Sequence, residues 1–248
     1  MKKLFVNLSF IFVLALVLKS CSFKEKIYVN PDGSGSMAFH MDASQLMKLA
    51  GDEFTESDKS FDSIMDFKTL LDEKRDSIAG LPADQQAKFK ALEKFRLKMK
   101  MMPEEQEMSF TLMTDFDKAS ELTDMFSEMS NLQGLGDTPN PEDQPLAALS
   151  GNSSSAVTYK FENNVFKRNV EVIDRELLNA QIDSIGEMEM FFQNSTYKLE
   201  YHFFKPVKSV SDSTAFFSQD RKTVTVERNF MEYLKNPESF NIEFVLED

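Results

Sequence analysis

One cysteine stands among 248 residues, so no internal disulfide can form. With only two histidines, His40 and His202, the usual Cys and His sets for structural zinc cannot be assembled from this chain. No Gly-x-Ser-x-Gly elbow occurs, so the commonest sequence sign of a serine hydrolase is missing. Basic residues are outnumbered, 28 Lys and Arg against 41 Asp and Glu, which argues against nucleic acid as a partner because that binding rests on cations neutralising phosphates. The same balance disfavours flat docking on anionic lipid. After the first twenty residues no apolar run approaches membrane length. What the chain does hold is 24 Phe and 15 Met, ample material for a core.

The single thiol sits at an informative place. Lys2 and Lys3 precede an apolar run from Leu4 to Leu18, and Leu18-Lys19-Ser20-Cys21 follows. This run of fifteen residues, apolar except for Asn7 and Ser9, is too short for a spanning helix, which needs about 20. The pattern resembles a bacterial lipoprotein signal, with Leu18 and Ser20 at the lipobox positions and Lys19 departing from it. The resemblance implies that residues 1–20 are a signal peptide and that Cys21 is the lipidation site. Cleavage there removes three lysines and no acid, moving the formal charge from −13 to −16. Each buried methylene is worth about 0.8 kcal/mol, so two or three acyl chains hold a protein durably on a membrane. Residues 21–25 are expected to be the lipidated tether. Ser22 stands where an Asp would favour inner-membrane retention in enterobacteria, so the address expected is the outer membrane of a bacterial envelope.

The rest divides into 26–132, a flexible loop at 133–155, and 156–248, all one domain. Ile27 to Val29 and Met37 to Met41 flank Asn30-Pro31-Asp32-Gly33-Ser34-Gly35 and predict a hairpin. Three helices are then expected: a short one capped by Asp42 with Leu46, Met47 and Ala50 inward, a second from Phe61 to about Ile78, and a third after Pro82 with Phe89, Leu92, Phe95 and Met99 as its stripe. Lys88, Lys90, Lys94, Arg96, Lys98 and Lys100 would make that third helix basic. Pro103 ends it and Met108 to Met113 alternate as a strand, before a helix capped by Asp115 or Asp117 that carries Leu122, Met125, Phe126 and Met129. Beyond the loop, Val157 to Phe161 and Val165 to Val170 bracket Glu162-Asn163-Asn164 as a second hairpin. A helix from about Arg175 to Phe192 precedes strands near 197–203, 222–228 and 240–246. The fold class expected is α+β, with a mostly antiparallel sheet of seven or eight strands and four or five helices packed on it.

Asp32-Gly33-Ser34-Gly35-Ser36 spells D-x-S-x-S and resembles the start of the metal-binding motif of von Willebrand type A domains. That resemblance would make Asp32, Ser34 and Ser36 ligands of Mg²⁺ in an adhesion module. Pro31 and two glycines read instead as a turn, so no metal or cofactor is assigned. Met99, Met101, Met102, Met188 and Met190 read as core filler rather than Cu(I) ligands. No catalytic residues are identified, and the chain is read as not an enzyme.

Val29 to Gly35, Phe203-Phe204-Lys205-Pro206-Val207 and Asp220-Arg221-Lys222-Thr223-Val224-Thr225-Val226 resemble the scattered signature of the LppM-like family of envelope lipoproteins, with Arg221 where that family has Gly. The resemblance implies an α+β domain with an apolar-ligand cavity and no catalytic residues. The function expected is a non-catalytic envelope protein, held to the membrane by its lipid and binding an apolar ligand or another envelope protein.

Overall fold

The computed structural model describes residues 22–45, 47, 60–125, 128, 154–186 and 189–248. The signal at 1–20, Cys21, Leu46, Ala50, Phe126, Met129, Met188 and the loop expected at 133–155, as far as residue 153, lie outside the described residues.

The fold is α+β, as the sequence predicts, with its strands split between two sheets. The larger is eight-stranded and built around β1 (Ser22–Val29) and β2 (Gly35–Asp42). On the β2 side follow β5 (Glu107–Phe116), β4 (Phe95–Met102) and β3 (Phe61–Asp66). On the β1 side follow β8 (Thr196–Phe203), β11 (Thr223–Asn229) and β10 (Phe216–Phe217). All neighbours are antiparallel except β1 and β8, which run parallel from Ser22 opposite Thr196 to Val29 opposite Phe203. The smaller sheet orders β6 (Ser155–Glu162), β7 (Val165–Val172), β12 (Ile242–Leu246) and β9 (Val207–Val210).

Alternation sets which face is covered. Phe23, Ile27 and Val29 on β1, Met37, Phe39 and Met41 on β2, and Tyr197, Leu199, Tyr201 and Phe203 on β8 are buried on one side of the large sheet. Part of that side faces the small sheet, where the Phe166 ring meets Tyr201 and Phe203 edge-on at 5.7 Å and Phe244 lies 5.1 Å from Tyr201. The part nearer Ser22 is covered by α5 (Glu189–Phe192), α6 (Phe230–Lys235) and the 3-10 turn Pro237–Phe240, with Phe23 stacked 4.0 Å from Phe230. The outer side carries cross-strand ion pairs: Lys26 with Glu200 at 2.8 Å, Lys198 with Glu227 at 2.9 Å and Lys98 with Asp62 at 3.2 Å.

Several expectations are corrected. Residues 22–25 are no tether: they begin the central strand, with Phe23 and Glu25 buried. Phe61–Asp66 and Phe95–Met102 are strands because each finds a hydrogen-bonding neighbour, β3 on β4 and β4 on β5. Between Phe61 and Met102 helix is confined to α1 (Phe67–Glu73), α2 (Arg75–Ala79) and α3 (Ala83–Leu92), and Pro103 opens the turn between β4 and β5. The basic residues are thus divided among α3, the turn at Lys94 and the outer face of β4. No helix is capped by Asp115, whose carboxylate pairs with Arg96 at 2.9 Å while β5 runs on to Phe116. The helix expected up to Phe192 breaks after α4 (Arg175–Ile185) at Gly186, which adopts φ +49°. Ser154 is buried and Ser155 starts β6, so both belong to the fold rather than to the loop.

Asp174 caps α4 by accepting from the Leu177 N–H at 2.9 Å, and Asn229 caps α6 by accepting from Met231 and Glu232. Phe23→Ala should cost about 3–5 kcal/mol, the usual penalty for truncating a buried aromatic. Urea denaturation measures it, and a tether residue would show no such loss.

Candidate functional site

β1 and its neighbours give the domain two ends. At the end opposite Ser22, four distant stretches converge on a groove of about 460 Å³: Pro31 to Gly33, Asp117 to Ser120, Lys160 to Asn164, and Phe204. Its geometry begins in the β1–β2 turn. Asp32 Oδ1 accepts from the Ser34 N–H at 3.0 Å and the Ser34 hydroxyl at 2.7 Å, an Asx turn that leaves Gly33 at φ +85°. Those bonds hold the exposed Asp32 carboxyl below its ordinary pKa. Gly35 is required by space, since a Cβ there would lie 1.9 Å from the Tyr28 carbonyl oxygen.

Across the groove, the β6–β7 turn places Asn163 and Asn164 at φ +52° and +61°, the left-handed pair that a two-residue hairpin demands. Phe161 packs edge-on to Phe204 at 6.3 Å, and the ammonium of Lys205 sits 5.9 Å over the Phe204 ring. Lys160 pairs with Glu162 at 3.0 Å on the groove wall, and Lys118 and Asp117 supply further charges. The lining combines two aromatic rings with side chains of both charge signs.

The D-x-S-x-S residues are partly brought together. Ser34 closes the turn on Asp32, whereas Ser36 is on β2, opposite Tyr28 of β1 and Asp115 of β5. Among the described residues, no group of three or more His, Cys, Asp or Glu side chains could hold a metal ion. Arg221 takes the glycine-like position of the β10–β11 turn at φ +56°. Left-handed backbone costs a residue with a Cβ roughly 1–2 kcal/mol. The guanidinium answers that cost by donating to the Val207 carbonyl at 3.0 and 2.8 Å and the Lys208 carbonyl at 3.2 Å, while lying 4.2 Å over Phe217. One side chain therefore ties the last hairpin of the large sheet to the edge of the small one.

The histidines lie on the outer face of the large sheet, half-buried. His40 Nδ1 is 2.9 Å from the Thr111 hydroxyl, and burial lowers its pKa. His202 stands between the Thr223 hydroxyl, 2.9 Å from Nδ1, and Glu200, 3.0 Å from Nε2, with Tyr28 stacked on its ring at 4.2 Å. That order resembles a nucleophile, base and acid. Glu200 is also the partner of Lys26, and this chain of contacts lies along cross-strand neighbours of a sheet face. Neither histidine lines the groove described above.

The sequence reading misses a buried polar cluster between the sheets. Glu25, 1% exposed, lies on the core face of β1 with Phe39 and Leu199 as its cross-strand neighbours. Tyr159 donates to its Oε1 at 2.9 Å, Tyr197 to its Oε2 at 3.2 Å, and the Tyr201 hydroxyl also donates to Oε1. Arg168, itself 1% exposed, donates through Nε and Nη2 at 3.4 and 3.5 Å and gives Nη1 to the Phe240 carbonyl at 3.2 Å. Both carboxylate oxygens are satisfied. The signal was present in the alternation: Phe23, Glu25 and Ile27 share a face, as do Phe166, Arg168 and Val170.

Burial, reinforced by the Glu25 charge, pushes the phenols of Tyr159, Tyr197 and Tyr201 well above the ordinary tyrosine pKa, and burial raises Tyr233 as well. Raised folded-state values mean that stability is complete below the unfolded pKa of about 10 and falls as pH climbs past it. Tyrosinate absorbance from these four should therefore appear together with loss of the fold in an alkaline titration. Glu25→Gln strands the Arg168 charge in the interior and should lower stability by about 3–5 kcal/mol. A double-mutant cycle with Arg168→Met, followed by urea denaturation, should show strong coupling.

No family model matches the sequence, and no curated protein matches it. Among solved structures, the NMR structure of the folded domain of LppM from Mycobacterium tuberculosis is similar at a TM-score of 0.36 and 11% identity, covering 84% of this chain and 82% of that one. A likeness at that score carries neither fold nor function to this chain.

Proposed function

We propose that the protein is a non-catalytic domain of a bacterial envelope, anchored by lipid on Cys21, that binds an envelope partner, lipid or protein, through the groove at the far end. The observation that carries this reading is the polarity of the domain. β1 begins one residue after Cys21 and leads over eight residues, about 26 Å, to the turn that forms one wall of the groove. An anchor at Cys21 therefore leaves the groove pointing away from the bilayer, open to a partner.

The groove itself supports binding rather than a reaction. Aromatic Phe161 and Phe204 offer apolar contact area, while Lys118, Lys160, Asp117 and Glu162 offer orientation through charge. The space between the sheets is occupied by Phe166, Tyr201, Phe203, Phe244 and the Glu25 cluster, which favours an external site over a ligand carried in the sandwich core. Outer-membrane residence completes the proposal and rests on Ser22 alone. Among the described residues no helix is long and apolar enough to cross a membrane.

Two measurements test this. Cells fed an alkyne fatty acid should label the native protein and leave Cys21→Ser unlabelled and released from membranes; a Cys21→Ser protein that still fractionates with membrane at the same mature size overturns the anchor. A photo-crosslinking residue at position 204 should give a discrete adduct on intact envelopes, weakened by Lys160→Glu, whereas one at Thr225 on the outer sheet face should not. Equal adducts from both positions would remove the groove from the account.

A further inference from the structure

The Ser22 end of the large sheet is a second surface with a chemistry of its own. Ser22 pairs with Asp42 and Thr196, so the start of β8, the end of β2 and the Pro103–Glu105 turn between β4 and β5 lie at this end. Three large apolar side chains are exposed here. Met190, 68% exposed, is on α5, whose Phe192 ring lies 6.3 Å from Phe23. Phe61, 39% exposed, opens β3 opposite Met101, two residues before the β4–β5 turn. Ile173, 67% exposed, follows β7 at its end nearest Ser22: the strand meets Phe203 through Phe166, Glu25 through Arg168, and then continues past Val172.

We propose that this end is a membrane-contact surface, with Ile173 and Met190 seated at the level of the lipid head groups and acyl boundary. The inference rests on the lipid-anchor reading, and the length of chain available to the anchor selects the occupant. Consecutive Cα atoms are about 3.8 Å apart, so a lipid on Cys21 holds Ser22, already locked in the central strand, within one residue of the bilayer. A linker would let the domain tumble; here none exists, and the apolar tips around Ser22 are brought to the interface with the anchor. Exposed Glu104 and Glu105 lie at the same end and oppose anionic head groups, so the contact suits zwitterionic lipid.

Absence of tryptophan makes the test clean, because one introduced indole reports alone. Lipidated, full-length mature protein carrying Ile173→Trp, Met190→Trp or Phe204→Trp would be reconstituted into phosphatidylcholine vesicles with brominated acyl chains. Emission from positions 173 and 190 should shift to the blue and be quenched by bromine, while position 204 should be unaffected. A Gly/Ser linker inserted between Cys21 and Ser22 should abolish the quenching without detaching the protein from floated vesicles. Flotation without quenching at 173 or 190 overturns the membrane contact and leaves the anchor standing. A blue shift without bromine quenching that grows with protein concentration in detergent assigns the patch to a second copy and also overturns it. Failure to float at all removes the anchor, and this inference with it.

Discussion

A carboxylate on the buried face of the central strand is the constraint around which this domain is arranged. Taking Glu25 out of water costs several kcal/mol, and its neighbours on the sheet, Phe39 and Leu199, return nothing for it. The compensation comes mostly from elsewhere in the chain: Arg168 and Tyr159 from the small sheet, Tyr197 and Tyr201 from the adjoining strand. Two sheets that could otherwise slide on a greasy interface are thereby given one relative position. Register is fixed by the same group, since a one-residue slip of β1 would send Lys24 and Lys26 inward and turn Glu25 to solvent.

That arrangement explains how the two ends of the domain come to differ. The Glu25 cluster sits midway along β1, with the aromatic contacts of Phe166, Phe203 and Phe244 on one side and the stack of Phe23, Phe230 and Phe192 on the other. Turns at the far end use positive φ, at Gly33, Asn163 and Asn164, which tolerate it, and at Arg221, whose guanidinium contacts offset its cost. Among the described residues, the near end is made of strand ends and short helices. A rigid, polar-pinned middle joins a surface of turns to a surface of exposed apolar tips.

Much of the fold was readable because its signals are local. Asn163-Asn164 and the Pro31 to Gly35 segment announce their hairpins by side chains that tolerate positive φ, and Asp174 announces its helix by the carboxylate it offers the first turn. Phe95 to Met102 was misread because Phe89, Leu92, Phe95 and Met99 also fit a helical spacing. The alternative period of two, through Phe95, Leu97, Met99 and Met101, wins only because β5 is present to receive its hydrogen bonds. Phe23 to Glu25 was missed for a different reason: their place directly after Cys21 reads as a tether, and only the distant Arg168 and the tyrosines make a buried Glu tolerable. The groove was half legible, since the turn at Asp32 was read and its partners at 117–120, 160–164 and 204 were not. Those meet it through tertiary packing alone.

The parallel pairing of β1 with β8 joins the beginning of the chain to its last quarter. Parallel neighbours need a long crossover, and loop closure over such a distance is slow and entropically costly. During synthesis, the β1–β2 hairpin must therefore wait with one edge bare until the C-terminal strands arrive. Lys24 and Lys26, set on that waiting strand, are the kind of charge that discourages a stray edge from zipping onto another molecule.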